Sequence, residues 1–144
     1  MKQYFDFKTI NDLSKMQILL KEFSLQMDKI GLRSLSLRKV KLVIEELFAN
    51  IIKYGYRDMK ESIIELKVIP NRKSLRIEIC DNGIPFDPTL IREHTVANSV
   101  EDLKIGGLGL IIVRKSCRRM KYKRYDNKNF LSLTVAVCFE NKEN

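Results

Sequence analysis

Apolar positions recur along the chain with two periods, which predict two kinds of element. In some segments every second residue is apolar, and this alternation is typical of a strand with one buried face. In others the apolar residues return every three or four positions, as expected for one face of a helix. The predicted elements are, in chain order, a strand at 3–8, a helix from Asn11 or Asp12 to Gly31, a helix from Ser34 or Ser36 to near Gly55, strands at 62–69 and 74–80, a helix from Leu108 to about Met120, a short strand around 122–125 and a strand at 130–139.

This order of elements predicts the fold class. The strands at 62–69 and 74–80 are joined by a short turn, so we expect them to form an antiparallel pair. Three amphipathic helices each need an apolar surface to cover, and one face of a sheet supplies it. We therefore predict an α/β (α+β) two-layer sandwich, with a mixed, mainly antiparallel sheet and the helices on one face. The length of 144 residues fits a single domain spanning 1–144.

Composition indicates where such a protein works. Apolar residues make up 44% and charged residues 31% of the chain, which is the balance of a soluble globular protein. The longest apolar run, at 108–113, is far shorter than the ~20 residues of a spanning helix, and the N-terminus does not read as a signal peptide. Cys80, Cys117 and Cys138 are widely spaced and suit reduced thiols better than a disulfide framework. We expect a cytoplasmic protein with no membrane contact.

The formal net charge of +9 is concentrated in a basic cluster between Arg114 and Arg124. Two readings stay open: a solvated helix face, or a contact for phosphate, nucleic acid or an acidic protein. No aromatic-rich RNA-binding pattern accompanies the cluster, so direct nucleic-acid binding ranks last.

Glu46 and Asn50 are the first candidates for chemistry. They lie four residues apart on the second predicted helix, so both project from one flank beside its apolar stripe. An amide oxygen is a hard, neutral ligand for Mg²⁺, and a carboxylate can accept a proton or orient a water. The alternative is an acid and an amide on a solvated helix edge, where such pairs are common.

Two further segments carry candidate ligand-binding residues. Asp81 follows an inward-patterned strand, where it can accept a hydrogen bond from a ligand amino group, and Gly83 would let a planar ring approach the backbone. A loop rich in turn formers is the alternative reading. The glycine-rich stretch at 106–110 precedes an apolar helix, so backbone N–H groups are available to an anion. It lacks the lysine of a P-loop and the spacing of a dinucleotide fingerprint.

Taken in order, these segments resemble the GHKL-type ATP-binding family (Bergerat fold) shared by gyrase, histidine kinases and MutL. The motifs that carry the resemblance are Glu46-x-x-x-Asn50, Asp81-x-Gly83-x-Pro85-Phe86-Asp87-Pro88 and Gly106-Gly107-Leu108-Gly109-Leu110. The helix segment at 45–56 and the Pro-Phe-Asp-Pro run are similar to the branch of anti-sigma-factor serine/threonine kinases. The resemblance covers nearly the whole chain.

The resemblance implies a role for each motif residue. Asn50 would coordinate Mg²⁺, and Glu46 would be the base for phosphoryl transfer. Asp81 would bind the adenine amino group, with Gly83 against the base. The other cofactor-binding residues that it implies are Pro85, Phe86, Gly106, Gly107, Leu108, Gly109, Leu110 and Ser132.

Three features of the chain depart from the family pattern or extend it. Threonine commonly occupies the position of Ser132 in the family, and Thr134, on the same face of the strand, remains a rival for the contact with adenine. The loop at 89–105 would form a lid over the nucleotide, with Arg92, and Arg114 beyond it, as candidates for phosphate contacts. His94 is better explained as an exposed polar residue than as a phosphoacceptor, because no helical hairpin accompanies it.

The resemblance thus implies a kinase that uses Mg²⁺ and ATP to phosphorylate a serine or threonine on an anti-sigma antagonist (STAS) domain. A sigma factor is the second partner that it implies. The alternative, from a different class, is a non-catalytic ATP-binding regulatory module whose nucleotide orders the lid. The N-terminal edge strand and the family both favour a homodimer.

Overall fold

The structure, a computed structural model, describes residues 3–56, 58, 60–90 and 107–141. Its elements are β1 (Phe5–Ile10), α1 (Leu13–Lys29), α2 (Ser34–Tyr54), β2 (Ile63–Pro70), β3 (Ser74–Asp81), a short 3₁₀ turn (Pro88–Leu90), α3 (Gly107–Ser116), β4 (Arg118–Tyr125) and β5 (Lys128–Ala136).

The strands form one sheet in the order β1-β2-β3-β5-β4. Every pairing between the described strands is antiparallel, where the sequence predicted a mixed sheet. The reason lies in the last hairpin: the chain re-enters the sheet at the edge strand β4 and folds back as β5 between β4 and β3. Asp126 and Asn127, at φ 53° and 58°, form the tight turn of this hairpin. The two-layer α/β class is confirmed.

The helices pack on one face of the sheet. Leu75 and Ile77 of β3 are fully buried, and so are Phe23 of α1 and Phe48 of α2, all in one apolar core. Arg76, between the two buried residues of β3, is exposed on the other face. Because truncating a buried aromatic ring typically costs about 3–5 kcal/mol, this layer of contacts holds the helices in place above the sheet.

The first helix begins where the sequence predicts. Asp12 is its N-cap, and Oδ1 of Asp12 accepts a hydrogen bond from the backbone N–H of Ser14 at 2.7 Å. The hydroxyl and backbone N–H of Ser14 lower the pKa of the Asp12 carboxyl, because both donate to its charged form. The second helix begins at Ser34, one of the two predicted starts, and it ends at Tyr54, next to Gly55.

The C-terminal segment is bonded to the connection between α1 and α2. The backbone N–H of Arg33 donates to the carbonyl of Cys138 at 3.0 Å, and the N–H of Cys138 donates to Oγ of Ser36 at 2.8 Å. Two residues after Cys138, the N–H of Glu140 donates to the carbonyl of Gly31 at 2.7 Å. Ser36 therefore serves as a tether between the helical layer and the end of the sheet.

The third helix is shorter than predicted. It ends at Ser116, and Met120 lies in β4 rather than in the helix. From Met120 onward half-buried and exposed residues alternate, which is the period of a strand. Arg119 takes a φ of 53° where the β4–β5 register shifts. The basic cluster is therefore divided between the last turn of α3 and an edge strand, so the helix-face reading is wrong for most of it.

Candidate functional site

A cavity of about 340 Å³ opens between the C-terminal half of α2 and the ends of β3 and β5. This volume is in the usual range for small-molecule sites. The residues with predicted roles that line it are Asn50, Asp81, Pro85, Phe86 and Leu110. The fold thus brings residues from all three sequence motifs to one place.

Asp81, the last residue of β3, is 5% exposed. Its Oδ1 accepts hydrogen bonds from the backbone N–H of Gly83 at 2.9 Å and from Nδ2 of Asn129 at 3.0 Å. Burial raises the pKa of the Asp81 carboxyl above its ordinary 3.8, while those two bonds and the charge of Arg124 act in the opposite direction. Among the described residues none donates to Oδ2, which leaves that oxygen for a ligand.

Asn129 is a site residue that the sequence analysis did not identify. It lines the cavity and is 6% exposed. Its Nδ2 donates to Asp81 and also to the carbonyl of Ile84 at 2.9 Å, while its Oδ1 accepts from the hydroxyl of Tyr122 and from Nη1 of Arg124 at 3.1 Å. All of the hydrogen-bonding atoms of this amide are engaged, so its orientation is fixed.

Ser132 lies on the opposite face of the sheet from Asp81. Leu131 points inward and is 7% exposed, so Ser132 and Thr134 project from the other side of the strand. The expected contact of Ser132 with adenine is therefore wrong, and Thr134 fails as its rival for the same reason. Asn129, two residues before Leu131 on the inward side, lies directly opposite Asp81. Every second residue of β5 faces inward, and this alternation is the sequence signal that could have identified Asn129.

Asn50 is buried in α2, with 5% of its surface exposed. Its Nδ2 donates to the backbone carbonyl of Glu46 at 2.7 Å, whereas its Oδ1 is buried without a hydrogen-bond partner among the described residues. Leaving a buried carbonyl oxygen unpaired costs about 1–3 kcal/mol. A neutral amide oxygen is a ligand that Mg²⁺ accepts, so this side of the cavity fits the ion.

The carboxylate of Glu46 lies against Gly109, in the first turn of α3. A Cβ at Gly109 would fall 1.9 Å from Oε2 and 2.7 Å from Cδ of Glu46, so any larger residue would displace the carboxylate. The N-terminal end of a helix favours negative charge. The first and third motifs are thus in direct contact, with the carboxylate of Glu46 lying against Gly109.

The turn after β3 packs closely on the end of α2. The backbone N–H of Ile84 donates to the carbonyl of Gly55 at 2.9 Å. A Cβ at Gly83 would lie 2.8 Å from that same carbonyl oxygen and 2.9 Å from Oδ1 of Asp81. Gly83 is therefore required for a close approach of two backbone segments, and its contact with a base stays a prediction.

The glycine motif is described from its second residue onward. Gly107 is buried at the start of α3, Leu108 is 59% exposed, and Leu110 is 1% exposed and lines the cavity. Gly106 lies outside the described residues, as do Arg92, His94 and the remainder of the predicted lid at 91–105.

None of the helices among the described residues is long and apolar enough to cross a bilayer. In the same residues, no three His, Cys, Asp or Glu side chains are grouped as metal ligands. The three cysteines are free thiols, as predicted.

The fold and the site define a class of ATP-binding domains. The family model described as "Histidine kinase-like ATPase domain" matches residues 10–135, which is most of the chain. The chain belongs to this family. The resemblance to GHKL-type domains seen in the motifs is thereby confirmed.

Curated relatives with similar sequences are protein kinases. The chain is 31% identical over 93 residues to "Serine/threonine-protein kinase BtrW" of Bordetella bronchiseptica, a match that covers 65% of this chain and 66% of the relative. It is 23% identical over 82 residues to "Serine-protein kinase RsbW" of Listeria monocytogenes, covering 54% of this chain and 52% of the relative. The matches thus span between about half and two thirds of these relatives.

A solved structure shares the fold. The catalytic domain of the histidine kinase ThkA, in a nucleotide-free form, superimposes with a TM-score of 0.51 at 15% sequence identity. The superposition covers 96% of this chain and 99% of the ThkA domain. The likeness extends over the complete domain and concerns the fold alone.

Proposed function

We propose that the chain acts as one domain, a serine/threonine protein kinase that uses Mg²⁺ and ATP to phosphorylate an anti-sigma antagonist of the STAS class. Phosphorylation would regulate transcription by partner switching, with a sigma factor as the second partner. One observation carries the proposal: a single cavity is lined both by the buried carboxyl of Asp81 and by the unpaired amide oxygen of Asn50.

The Asp81 end of the cavity suits a purine base. Asp81 offers one carboxylate oxygen to an exocyclic amino group, which is a donor. Ile84, Phe86 and Leu131 supply apolar walls for the ring. The combination of one polar acceptor with apolar walls supports adenine as the base.

The Asn50 end suits the phosphates. Asn50 would hold Mg²⁺ through Oδ1, and the ion would supply charge neutralisation on the phosphate oxygens. Gly106, Gly107 and Gly109 would present backbone N–H groups to the phosphates at the N-terminus of α3, where the helix dipole favours an anion. Leu110 would fix this turn by packing, which its burial supports.

Glu46 would act as the general base. The substrate hydroxyl oxygen forms a bond to the γ-phosphorus as the bond from that phosphorus to the β,γ-bridging oxygen breaks, and ADP leaves with the electron pair. The hydroxyl proton passes to the Glu46 carboxylate. The place of Glu46, one helical turn from Asn50 and against the first turn of α3, supports this role.

The proposal includes two kinds of partner, an acceptor protein and a second copy of the chain. The kinase names of the relatives support a protein hydroxyl as the acceptor, and a new phosphate adds nearly two negative charges to that partner at neutral pH. A homodimer is part of the proposal because β1 lies at an edge of the sheet, where a strand leaves backbone groups open.

Transfer of label from γ-³²P-ATP to a STAS-domain protein of the same organism tests the proposal. We expect labelling by the wild type and by Glu45→Gln, which removes an equal charge from the neighbouring position on α2. Labelling should be lost in Glu46→Gln, while titration calorimetry shows unchanged binding of ATP with Mg²⁺. An unlabelled partner beside normal ATP binding would favour the non-catalytic module. The absence of any binding heat in the wild type would refute the ATP site itself.

A further inference from the structure

Arg124 holds two of the groups that surround Asp81. It lies on β4 directly opposite Asn129 of β5 and is half-buried. Its Nη1 donates to the carbonyl of Gly83 at 2.7 Å and to Oδ1 of Asn129 at 3.1 Å. Arg124 lines a neighbouring crevice rather than the cavity, so any effect on a ligand passes through the residues that it holds.

The bonds of Arg124 determine which way the Asn129 amide points. Its oxygen faces two donors, the guanidinium of Arg124 and the hydroxyl of Tyr122, so its NH₂ group must face Asp81. That NH₂ group and the N–H of Gly83 then occupy Oδ1 of Asp81. Arg124 therefore fixes both donors to Oδ1 of Asp81. It holds Asn129 through the side-chain oxygen of that residue, and it holds Gly83 through the backbone carbonyl of that residue.

We propose that Arg124 is a positioning residue that sets the base specificity of the site, by holding Asn129 and Gly83 so that Asp81 meets a 6-amino purine as a hydrogen-bond acceptor and rejects a 6-oxo purine. The proposal rests on the proposed function, because it requires a purine base at Asp81. A carboxylate can only accept hydrogen bonds, whereas a protonated carboxyl can also donate one to a ring carbonyl. Discrimination between the two bases thus depends on keeping the acceptor form.

The charge of Arg124, like its hydrogen bonds, favours the form of Asp81 that only accepts hydrogen bonds. Neither of the two ion pairs found among the described residues involves Arg124. Its positive charge therefore opposes the effect of burial on the pKa of Asp81 without a carboxylate partner to offset it. Among the described residues, the other titratable groups around Asp81 are Cys80 beside it on β3, Tyr56 after α2, Tyr122 on β4, and Lys53 and Tyr54, which line the cavity from α2.

The same strand offers a matched control. Lys123 precedes Arg124 and projects from the other face of the sheet, where its ammonium group lies 5.3 Å from the ring centre of Tyr125. Lys123→Met removes one positive charge from β4 without touching the Asn129 amide. Any effect of net charge alone should therefore appear equally in Lys123→Met and in Arg124→Met.

The experiment compares the affinities of the full chain for ATP and for inosine triphosphate, which has oxygen in place of the amino group. With Mg²⁺ present, we expect Arg124→Met to lower the ATP affinity about ten-fold, because Asn129 and Gly83 are no longer held in place around Asp81, and to lower the affinity for inosine triphosphate much less. The preference for ATP should fall accordingly. On acidification, the affinity for ATP should begin to fall at a higher pH in Arg124→Met than in the wild type. In Lys123→Met this pH should be unchanged.

Each outcome bears on the proposal. An Arg124→Met protein that folds and keeps both the wild-type preference for ATP and the wild-type pH profile overturns it, while ATP binding by the wild type keeps the proposed function intact. Equal losses for both nucleotides would also overturn it, since they indicate a purely structural role. Should Arg124→Met fail to fold, Arg124→Lys decides: the lysine ammonium ends one bond short of Nη1, the nitrogen that donates to both acceptors, and an unchanged preference for ATP contradicts the proposal.

Discussion

Asn129 donates a hydrogen bond from Nδ2 to Oδ1 of Asp81 across 3.0 Å, although 48 positions of chain separate the two residues. They are directly opposed at the ends of β3 and β5, and both are buried. The sheet register therefore decides which side chain meets the carboxyl. A slip of one residue would replace the amide with the ring of Phe130 or the ammonium group of Lys128.

Asn129→Ala should destabilise the protein and weaken ATP binding. The substitution leaves Oδ1 of Asp81 with one donor and the carbonyl of Ile84 without its side-chain donor, and buried groups that lose a partner cost about 1–3 kcal/mol each. Urea unfolding at pH 7 measures the loss of stability, and calorimetry measures ATP binding. Ser132→Ala, on the far face of the same strand, is the control and should change neither quantity. A loss of ATP affinity in Ser132→Ala would place the nucleotide elsewhere.

Asp81→Asn should stabilise the ligand-free protein at neutral pH while abolishing its preference for adenine. Burial raises the pKa of Asp81 above 3.8, so the folded state holds this proton more tightly than the unfolded chain. The stability that Asp81 contributes is therefore full in acid, below the unfolded-state pKa, and is lost as the pH rises through the folded-state pKa. The asparagine variant does not titrate, so its advantage over the wild type should grow with pH through that window and then level off.

Urea unfolding from about pH 3.5 to pH 7 provides the measurement, with Asp28→Asn, an exposed carboxyl on α1, as the control. Asp28→Asn shows the effect of removing a carboxyl at a distance from the cavity. A stability difference for Asp81→Asn that shrinks with rising pH would mean that the folded state favours the charged form, contrary to the effect of burial.

Asn50→Ala should remove the magnesium dependence of ATP binding. The wild type is expected to bind ATP on the order of ten-fold more tightly with Mg²⁺ than with EDTA, because the buried amide oxygen gains a partner only when a cation is present. The variant should show nearly equal affinities under the two conditions. Asn71→Ala, in the exposed turn between β2 and β3, should retain the wild-type ratio. A metal effect that survives in Asn50→Ala would assign the ion to other ligands.

Gly109→Ala should slow phosphoryl transfer without lowering stability. The added methyl group would lie 1.9 Å from the present position of Oε2 of Glu46, and a flexible carboxylate can move away from it. Alanine is favoured over glycine in a helix by up to about 1 kcal/mol, so the melting temperature should stay level or rise. Labelling rates and thermal unfolding together test this. Ile112→Ala, on the same helix, controls for a general effect on α3, and a Gly109→Ala enzyme of full activity would show that the position of the carboxylate is unimportant.

The elements that the sequence predicts correctly are those in which buried apolar residues repeat with the period of a helix or a strand. α1 and α2, the β2–β3 hairpin and the inward side of β5 were identified because their apolar residues meet one continuous core. Only the second half of β4 is predicted, at 122–125, since its inward positions include Met120 and Arg124, which are only half-buried at the edge of the sheet. Because inward and outward residues differ little in polarity here, the sequence pattern extends the predicted helix to about Met120, into the first half of β4. The turn residues Asp126 and Asn127 held the missing signal, because both tolerate positive φ.

The candidate site was predictable as a set of motifs and less so as a set of contacts. Asp81 and Asn50 were identified from their positions at a strand end and on a helix flank, which a local pattern can reveal. Asn129 and Arg124 contribute through cross-strand register, and register depends on the pairing partner as well as on the strand itself. The predicted contact of Ser132 follows from the family resemblance, whereas the alternation along β5 directs its side chain to the open face of the sheet.

Hydrogen bonds join Arg33 and Ser36 to Cys138, and 102 positions of chain separate Ser36 from Cys138. Neither helix can peel away from the sheet by local fraying at this end, because the link between α1 and α2 is latched to the residues that follow the last strand. Opening of the helical layer at this end therefore requires these hydrogen bonds to break. The amide protons of Arg33 and Cys138 should exchange with solvent only as often as the whole molecule comes apart.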